Sequence, residues 1–359
     1  MAVPLFASTL EPYYDRLAEA LERVARSGRY ILGPEVAAFE REFAAYLGVR
    51  HCVGVANGTD ALTIALRALG VVDGDEVVLP SFTFYATAEA AIVAGAVPVF
   101  CDVDPASFCV TPETVRAVLG PRTKAIVPVH LFGNAAPVPE LRELGVPVLE
   151  DAAQAAGATL GGGKAGALGN AATFSFFPSK NLPCLGDGGA IVTDDDGIAE
   201  RVRMLRFHGS RDKETYTDVG YNSRLDELQA VALRVLLPEL DRWIAARRGA
   251  ASAYERHGLG ELLALPQPAA GAEHAYHLYV ARHRQADSLI GALRERGVEA
   301  RGYYRVPVHQ QPAMAGFRGS APLPGTEEAA RDNLALPMGS ALSEEDVLDV
   351  AGACAEAAG

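Results

Sequence analysis

The sequence predicts an α/β protein: a three-layer α/β/α large domain with a mostly parallel sheet, followed by a smaller C-terminal α+β domain. Three observations carry this expectation. Apolar, β-branched runs alternate with helical patterns through the first two-thirds of the 359 residues, as in a series of βαβ units. Most of those runs are apolar on both faces, as strands covered by helices on each side must be. After Gly197 the alternation gives way to longer helical patterns and a polar loop.

The elements follow in chain order. The N-terminal segment lacks a basic leader and runs into an amphipathic helical pattern, so it does not read as a signal peptide. The strand runs are His51–Ala56, Glu76–Leu79, Val97–Cys101, Lys124–Val129, Val146–Leu149, Ala172–Phe177 and Gly189–Thr193. Helical patterns lie between them at about Glu35–Leu47, Thr59–Leu69, Ala86–Ala94, Pro112–Leu119 and Pro137–Leu144, several opened by a proline or a capping threonine. Ligands in such sheets bind at the carboxyl ends of the strands. Beyond Gly197 we expect a helix, a polar loop from Gly209 to Gly220, a long helix from about Ser223 to Arg248, a strand Ala275–Arg282, a helix Asp287–Arg296, a Pro-rich stretch from Pro307 to Pro324 and a last helix from Ser343. The expected division is residues 1–240 for the large domain and 241–359 for the small one.

Composition narrows the function. With 49% hydrophobic residues, the chain can bury a core and is neither disordered nor a coiled coil. Its 45 acidic against 32 basic side chains argue against nucleic acid or an anionic membrane as partner. The apolar run Ala86 to Phe100 is broken by Glu89, Gly95 and Pro98, too short to span a membrane. A cytoplasmic location is expected. Five cysteines form no C-x-x-C pair, which suits reduced, mostly buried thiols and gives neither a disulfide framework nor a zinc site. His274 and His277 fall in a strand-like segment that would turn them to opposite faces, which disfavours a metal.

Three places could carry chemistry. The strand ending at Ala56 leads into Asn57-Gly58-Thr59-Asp60, where Gly58 can turn tightly and the next amides open a helix; that geometry binds phosphate, or is an ordinary capped helix. The run Val146–Leu149 ends in Glu150-Asp151, so Asp151 could hold a metal, a ribose or a cationic ring nitrogen, or cap the following helix; Gln154 lies one turn on. Lys180 sits between the apolar run ending at Phe177 and the glycine-rich Gly186–Gly189. Desolvation there would lower its pKa and give an amine able to form a Schiff base, although alone it reads as a snorkelling surface lysine. Together the phosphate turn, the carboxylate and the lysine are the three fixed contacts of pyridoxal phosphate.

At this point the chain resembles the DegT/DnrJ/EryC1/StrS family of sugar aminotransferases, which have the type I pyridoxal-phosphate transferase fold. The resemblance rests on Tyr30–Glu35 (YILGPE), Ala56–Leu62 (ANGTDAL), Pro80–Thr87 (PSFTFYAT), Glu150–Gln154 (EDAAQ), Phe174–Lys180 (FSFFPSK), Gly186–Gly189 (GDGG) and Gly220–Gln229 (GYNSRLDELQ). It implies that Lys180 forms the imine with pyridoxal phosphate, Asp151 pairs with the pyridine nitrogen and Gln154 contacts the phenolic oxygen. It also implies that Ser175, Gly58, Thr59 and Asp60 hold the phosphate, that Phe84 stacks on the ring, and that Asn222 reaches the phosphate from the neighbouring subunit of a homodimer with shared active sites. Tyr304, His309 and Arg224 are the candidates for substrate handling. Arg224 would take a carboxylate in a bidentate contact, or else cap the long helix or bond Asp226. His130 reads as a satisfied structural histidine.

Some members of the family replace the imine lysine with histidine and dehydrate their substrate; the lysine kept here implies a transaminase. The expected function is transfer of an amino group, from L-glutamate, to a keto group of a nucleotide-activated sugar, with C3 favoured by the YILGPE segment. The alternatives are a C4-keto sugar or cyclitol aminotransferase, or a dehydratase or sensor on the same fold. For the anionic substrate a local basic patch is expected from Arg224, Arg301 or Arg305.

Overall fold

The chain builds its centre from seven strands: β1 (His51–Val55), β2 (Glu76–Pro80), β3 (Val97–Cys101), β4 (Thr123–Ile126), β5 (Leu149–Asp151), β6 (Ala171–Ser175) and β7 (Gly189–Thr193). The computed structural model describes residues 3–317, 319 and 321–358. Strands β3-β2-β4 form one ladder and β5-β6-β7-β1 another, and parallel bridges Ile126–Val148 and Val129–Asp151 join them. Only β7 runs against its neighbours, antiparallel to both β6 and β1. The other six strands therefore end along one edge, which is where a ligand site is expected.

Side-chain alternation along the strands sorts the two faces. Val53, Val55, Ala171 and Ile191 pack with Ile64 and Ala65 of the helix Gly58–Ala68. Cys52, Ala172, Phe174 and Val192 pack with Phe39 and Phe43 of the helix Pro34–Leu47. Each fully buried phenylalanine or isoleucine contributes about 1.5–3 kcal/mol, so the two faces together hold the three layers in register.

The YILGPE segment has a physical role here. The Glu227 carboxylate, at the start of the helix Glu227–Leu236, accepts the N–H groups of Gly33, Glu35 and Val36 at 2.9, 2.9 and 2.8 Å. It thus caps the helix Pro34–Leu47 from a distant part of the chain. A Cβ on Gly33 would lie 2.7 Å from Glu227 Oε2, so a side chain there would displace the capping carboxylate.

The C-terminal part packs the helices Leu240–Arg256, Ala286–Glu295 and Glu344–Ala358 on the antiparallel pair Tyr279–Arg282 and Asn333–Leu336. The start of the chain joins it, with Val3 bridging Val298 and Phe6 bridging Met338. On this packing we propose the division near residue 240, with residues 3–8 leaning on the C-terminal part.

Three expected elements differ, the first being the strand expected over Val146–Leu149, which forms at Leu149–Asp151. The long helix is two, Glu227–Leu236 and Leu240–Arg256, with a tight turn Leu237–Glu239 between them where Pro238 interrupts the hydrogen-bond ladder. The strand starts only at Tyr279, because Tyr276 adopts a left-handed conformation (φ 44°) and Ala275 and Leu278 bond the backbone of Gly133 and Phe132 instead. Described helices include none long and apolar enough to cross a membrane. All five cysteines are free and buried.

Candidate functional site

The strand edge opens into a cavity of about 610 Å³. Gly58, Thr59, Asp60, Phe84, Asp151, Gln154, Ser175, Lys180 and Tyr304 all line it. Residues more than 200 positions apart in sequence thus converge on one space.

One wall is the start of the helix Gly58–Ala68. Asn57 caps it, its side chain accepting the Asp60 N–H at 2.8 Å. That leaves the amides of Gly58 and Thr59, which no earlier residue of the helix can satisfy. The strand β6 ends on Ser175 directly opposite, and a Cβ on Gly58 would lie 2.8 Å from Ser175 Cβ. Glycine lets the helix start approach a hydroxyl, so unpaired amides and a serine face the same space, a geometry suited to an anion.

Asp151 ends β5 and is buried. It accepts the Thr87 hydroxyl at 2.9 Å and the Ala153 N–H at 3.2 Å. Burial pushes its carboxyl above the usual range, and the Thr87 bond, the Ala153 amide and the Lys180 charge pull the other way. Glu150, one residue earlier, faces the opposite side and is fully spoken for by His130 Nε2 and the amides of Gly166, Leu168 and Gly169. His130 Nδ1 accepts the Ala136 N–H at 2.9 Å, so Nε2 carries the proton given to Glu150. His130 is structural, as its sequence context suggested.

Lys180 follows β6 on a turn closed by its own N–H to Phe177 O at 2.8 Å. Its ammonium has no hydrogen bond or ion pair among the described residues. Burial pulls its pKa down to about 8, against the opposing charge of Asp151. Gln154 is held at both ends of its amide: Oε1 accepts the Phe132 N–H at 2.7 Å and Nε2 donates to the Tyr304 hydroxyl at 3.1 Å. Tyr304 has a left-handed backbone (φ 53°) and stacks on Phe132 at 6.1 Å, with Phe84 6.3 Å away on the cavity side. Phe84 is 57% exposed, an open aromatic face on a ligand space.

Three expected residues lie outside the cavity of this chain. Asn222 is exposed and accepts a bond from Arg224 Nη2, and Arg224 lies over the Phe207 ring at 5.6 Å. Arg224 therefore neither caps the following helix nor bonds Asp226. His309 packs against Phe100 and bonds Ser81 rather than lining the cavity. Of the expected basic patch, Arg305 is tied to Asp287 at 2.7 Å and to Ala330 O, and Arg301 lies over Tyr303 at 5.9 Å; neither lines the cavity.

Sequence reasoning missed Thr87, Tyr303 and His277, which line the cavity too. Thr87 stood inside a quoted motif and one turn beyond Phe84, a signal that could have found it. His277 could not be placed, because its apparent strand alternation is broken by Tyr276. Among the described residues no cluster of His, Cys, Asp and Glu could hold a metal.

A family model described as the DegT/DnrJ/EryC1/StrS aminotransferase family matches residues 14–355. The chain is 46% identical over 346 residues to a dTDP-3-amino-3,4,6-trideoxy-alpha-D-glucose transaminase of Streptomyces venezuelae, covering 94% of this chain and 90% of that one. It is 44% identical over 356 residues to a pleiotropic regulatory protein of Geobacillus stearothermophilus, covering 96% and 95%. Among solved structures, S. venezuelae DesV in complex with a ketimine intermediate superposes with a TM-score of 0.95 at 43% identity, over 99% of this chain and 98% of that one.

Proposed function

This chain belongs to the DegT/DnrJ/EryC1/StrS aminotransferase family, and on that premise we propose that it moves an amino group from L-glutamate onto the C3 keto group of a nucleotide-activated sugar. It is a pyridoxal-phosphate-dependent aminotransferase. The observation that carries the reading is a Lys180 whose ammonium has no partner among the described residues and a buried Asp151 in one cavity, beside a glycine-and-serine cradle at a helix start.

These residues fit the cofactor. In our assignment the amides of Gly58 and Thr59, with the Ser175 hydroxyl, would receive its phosphate, while Asp60, an expected phosphate contact, has its N–H taken by Asn57 and offers only a carboxylate; Phe84 would cover the ring, Gln154 would meet the phenolic oxygen and Lys180 would hold the aldehyde carbon. Asp151 faces the ring nitrogen, whose positive charge would favour the anion that burial alone disfavours. When bound, pyridoxal phosphate supplies an electron sink for the bond that is broken. Once the donor's amine has taken its place on that carbon, Lys180 Nζ would be free to take the proton from the donor's Cα, and a pKa of about 8 would keep a useful fraction of the amine neutral at physiological pH.

The proposal extends to a homodimer with shared sites. Tyr30, Ile31 and Val219 leave exposed apolar surface, and Ile31 bridges Asp226, close along the chain to Asn222. In the dimer Asn222 reaches the partner's phosphate, and Arg224, Tyr304 and His309 serve the sugar side. The free, buried cysteines suit a reducing cytoplasm. The C3 position follows the name of the S. venezuelae relative, a 3-amino sugar transaminase; amination at C4 or of a cyclitol is the alternative.

The test is incubation with pyridoxal phosphate, L-glutamate and dTDP- or UDP-linked 3-keto and 4-keto sugars, with products read by mass and NMR. A 3-amino sugar supports the reading. Glutamate turnover without any amino sugar, or none at all, contradicts it, and the second result favours a sensor, or a regulatory role like the one the G. stearothermophilus relative is named for.

A further inference from the structure

A second cavity, of about 120 Å³, adjoins the main one and shares Phe6, Ser179 and Lys180 with it. Its wall also includes Ser8, Thr9, Asn181, Ser340 and Arg247, and it contains no aspartate or glutamate. Arg247 lies in the helix Leu240–Arg256 and is only 3% exposed. Its Nη1 donates to Tyr276 O at 2.8 Å and its Nη2 to Ser8 Oγ at 3.1 Å, while Nε has no partner. Among the described residues no carboxylate lies within ion-pair distance of it.

A buried guanidinium without a counter-charge is costly unless something anionic completes it. Arg247 and Lys180 line this space together with Thr9 and Ser340. Arginine is the residue suited to planar bidentate recognition of a carboxylate. A space of about 120 Å³ admits a carboxylate on a short chain and excludes a nucleoside diphosphate. Lys180 belongs to the wall the two cavities share, so an amino acid anchored here has its nitrogen near the residue that must exchange with it.

We propose that this side cavity, built around Arg247, binds a carboxylate of the amino-acid donor. The proposal rests on the aminotransferase reading and names the donor's subsite, a role that sequence alone had offered to Arg224. The segment that Arg247 fastens is also held by Asn181, whose Nδ2 donates to Ala275 O at 3.0 Å. The residue next to Lys180 and the arginine thus grip the same backbone from two sides and fix the subsite relative to the reacting amine.

The experiment titrates cofactor-loaded wild type, Arg247→Met and Arg247→Lys with glutarate, a dicarboxylate without an amine, by calorimetry. It also follows single-turnover amino transfer from L-glutamate, L-alanine and 4-aminobutyrate. Arg247→Met should weaken glutarate binding and raise the half-saturating glutamate concentration by about 10–100-fold, leaving the cofactor's absorbance band and the KM for the keto sugar unchanged. Arg247→Lys should recover part of the loss. An equal loss with L-alanine assigns the α-carboxylate, and a loss confined to glutamate and 4-aminobutyrate assigns the distal one. If Arg247→Met does not fold, Thr9→Val with Ser340→Ala should still weaken glutarate by several-fold. Wild-type-like glutarate binding and donor saturation in the variants, or an equal loss in the keto-sugar half-reaction, overturns the proposal. If wild type binds glutarate through Arg247 yet transfers no amino group, the aminotransferase reading fails while the anion site stands.

Discussion

Thr87 donates its hydroxyl to Asp151 Oδ2 across 2.9 Å, and that hydroxyl also lies 3.1 Å from Thr83 Oγ1. All three side chains are buried, so this short polar chain ties the start of the helix Ala86–Val93 to the end of β5 at the cavity floor. A hydrogen bond to the charged form of a carboxylate favours that form. Thr87→Val should therefore raise the Asp151 pKa further and move the acid limb of the kcat–pH profile to higher pH. An unmoved limb would mean that Thr87 only packs. Asp151→Asn should lower kcat by about 100–1,000-fold without a comparable change in Tm.

Lys180 sets a second pH effect, on the cofactor-free protein. Its folded-state pKa is lowered to about 8 from an ordinary 10.5. Below about pH 8 the ammonium is charged in both states and the folded state bears the desolvation cost. Between about 8 and 10.5 the unfolded chain binds the extra proton, so stability rises with pH. Lys180→Met should thus be more stable than wild type at pH 7, by about 1–3 kcal/mol, with the gap closing above pH 8 in denaturant titrations. A gap constant from pH 7 to 10.5 would contradict the desolvation argument.

Gly58→Ala tests the cradle. The new Cβ would press on Ser175 Cβ at 2.8 Å, and such overpacking costs about 1–3 kcal/mol. The expected result is a cofactor dissociation constant raised about tenfold or more, measured by fluorescence titration. An unchanged constant would show that the phosphate sits elsewhere.

Glu227→Gln tests the distant cap. Its carboxylate accepts three backbone N–H groups, and the substituted amide offers one acceptor oxygen and an NH₂ that faces donors. A loss of about 2–4 kcal/mol in unfolding free energy is expected, with the cofactor absorbance band intact.

The sequence made the site legible where it lies at strand ends. Asp151, Ser175 and Gly58 stand immediately after or at the close of apolar runs, and in a parallel sheet those ends share an edge. Lys180 was legible by its company, since an isolated lysine after a strand says little. Arg247 was not legible, and the places of His309 and Arg224 outside the cavity of this chain were not either, because these positions follow from tertiary packing of segments with no clear period. Arg247 reads as an ordinary polar helix residue; it is buried only because Tyr276, Ser8 and Asn181, remote in sequence, close over it. The left-handed Tyr276 likewise turned an apparent strand into the bend that brings His277 to the cavity.

The most direct test of the central assignment is the absorbance spectrum of the purified protein with pyridoxal phosphate, before and after L-glutamate, for wild type and Lys180→Ala. Wild type should show a visible imine band that glutamate bleaches, and a folded Lys180→Ala protein should show no such band. A band of equal strength in Lys180→Ala, or none in wild type, would contradict it.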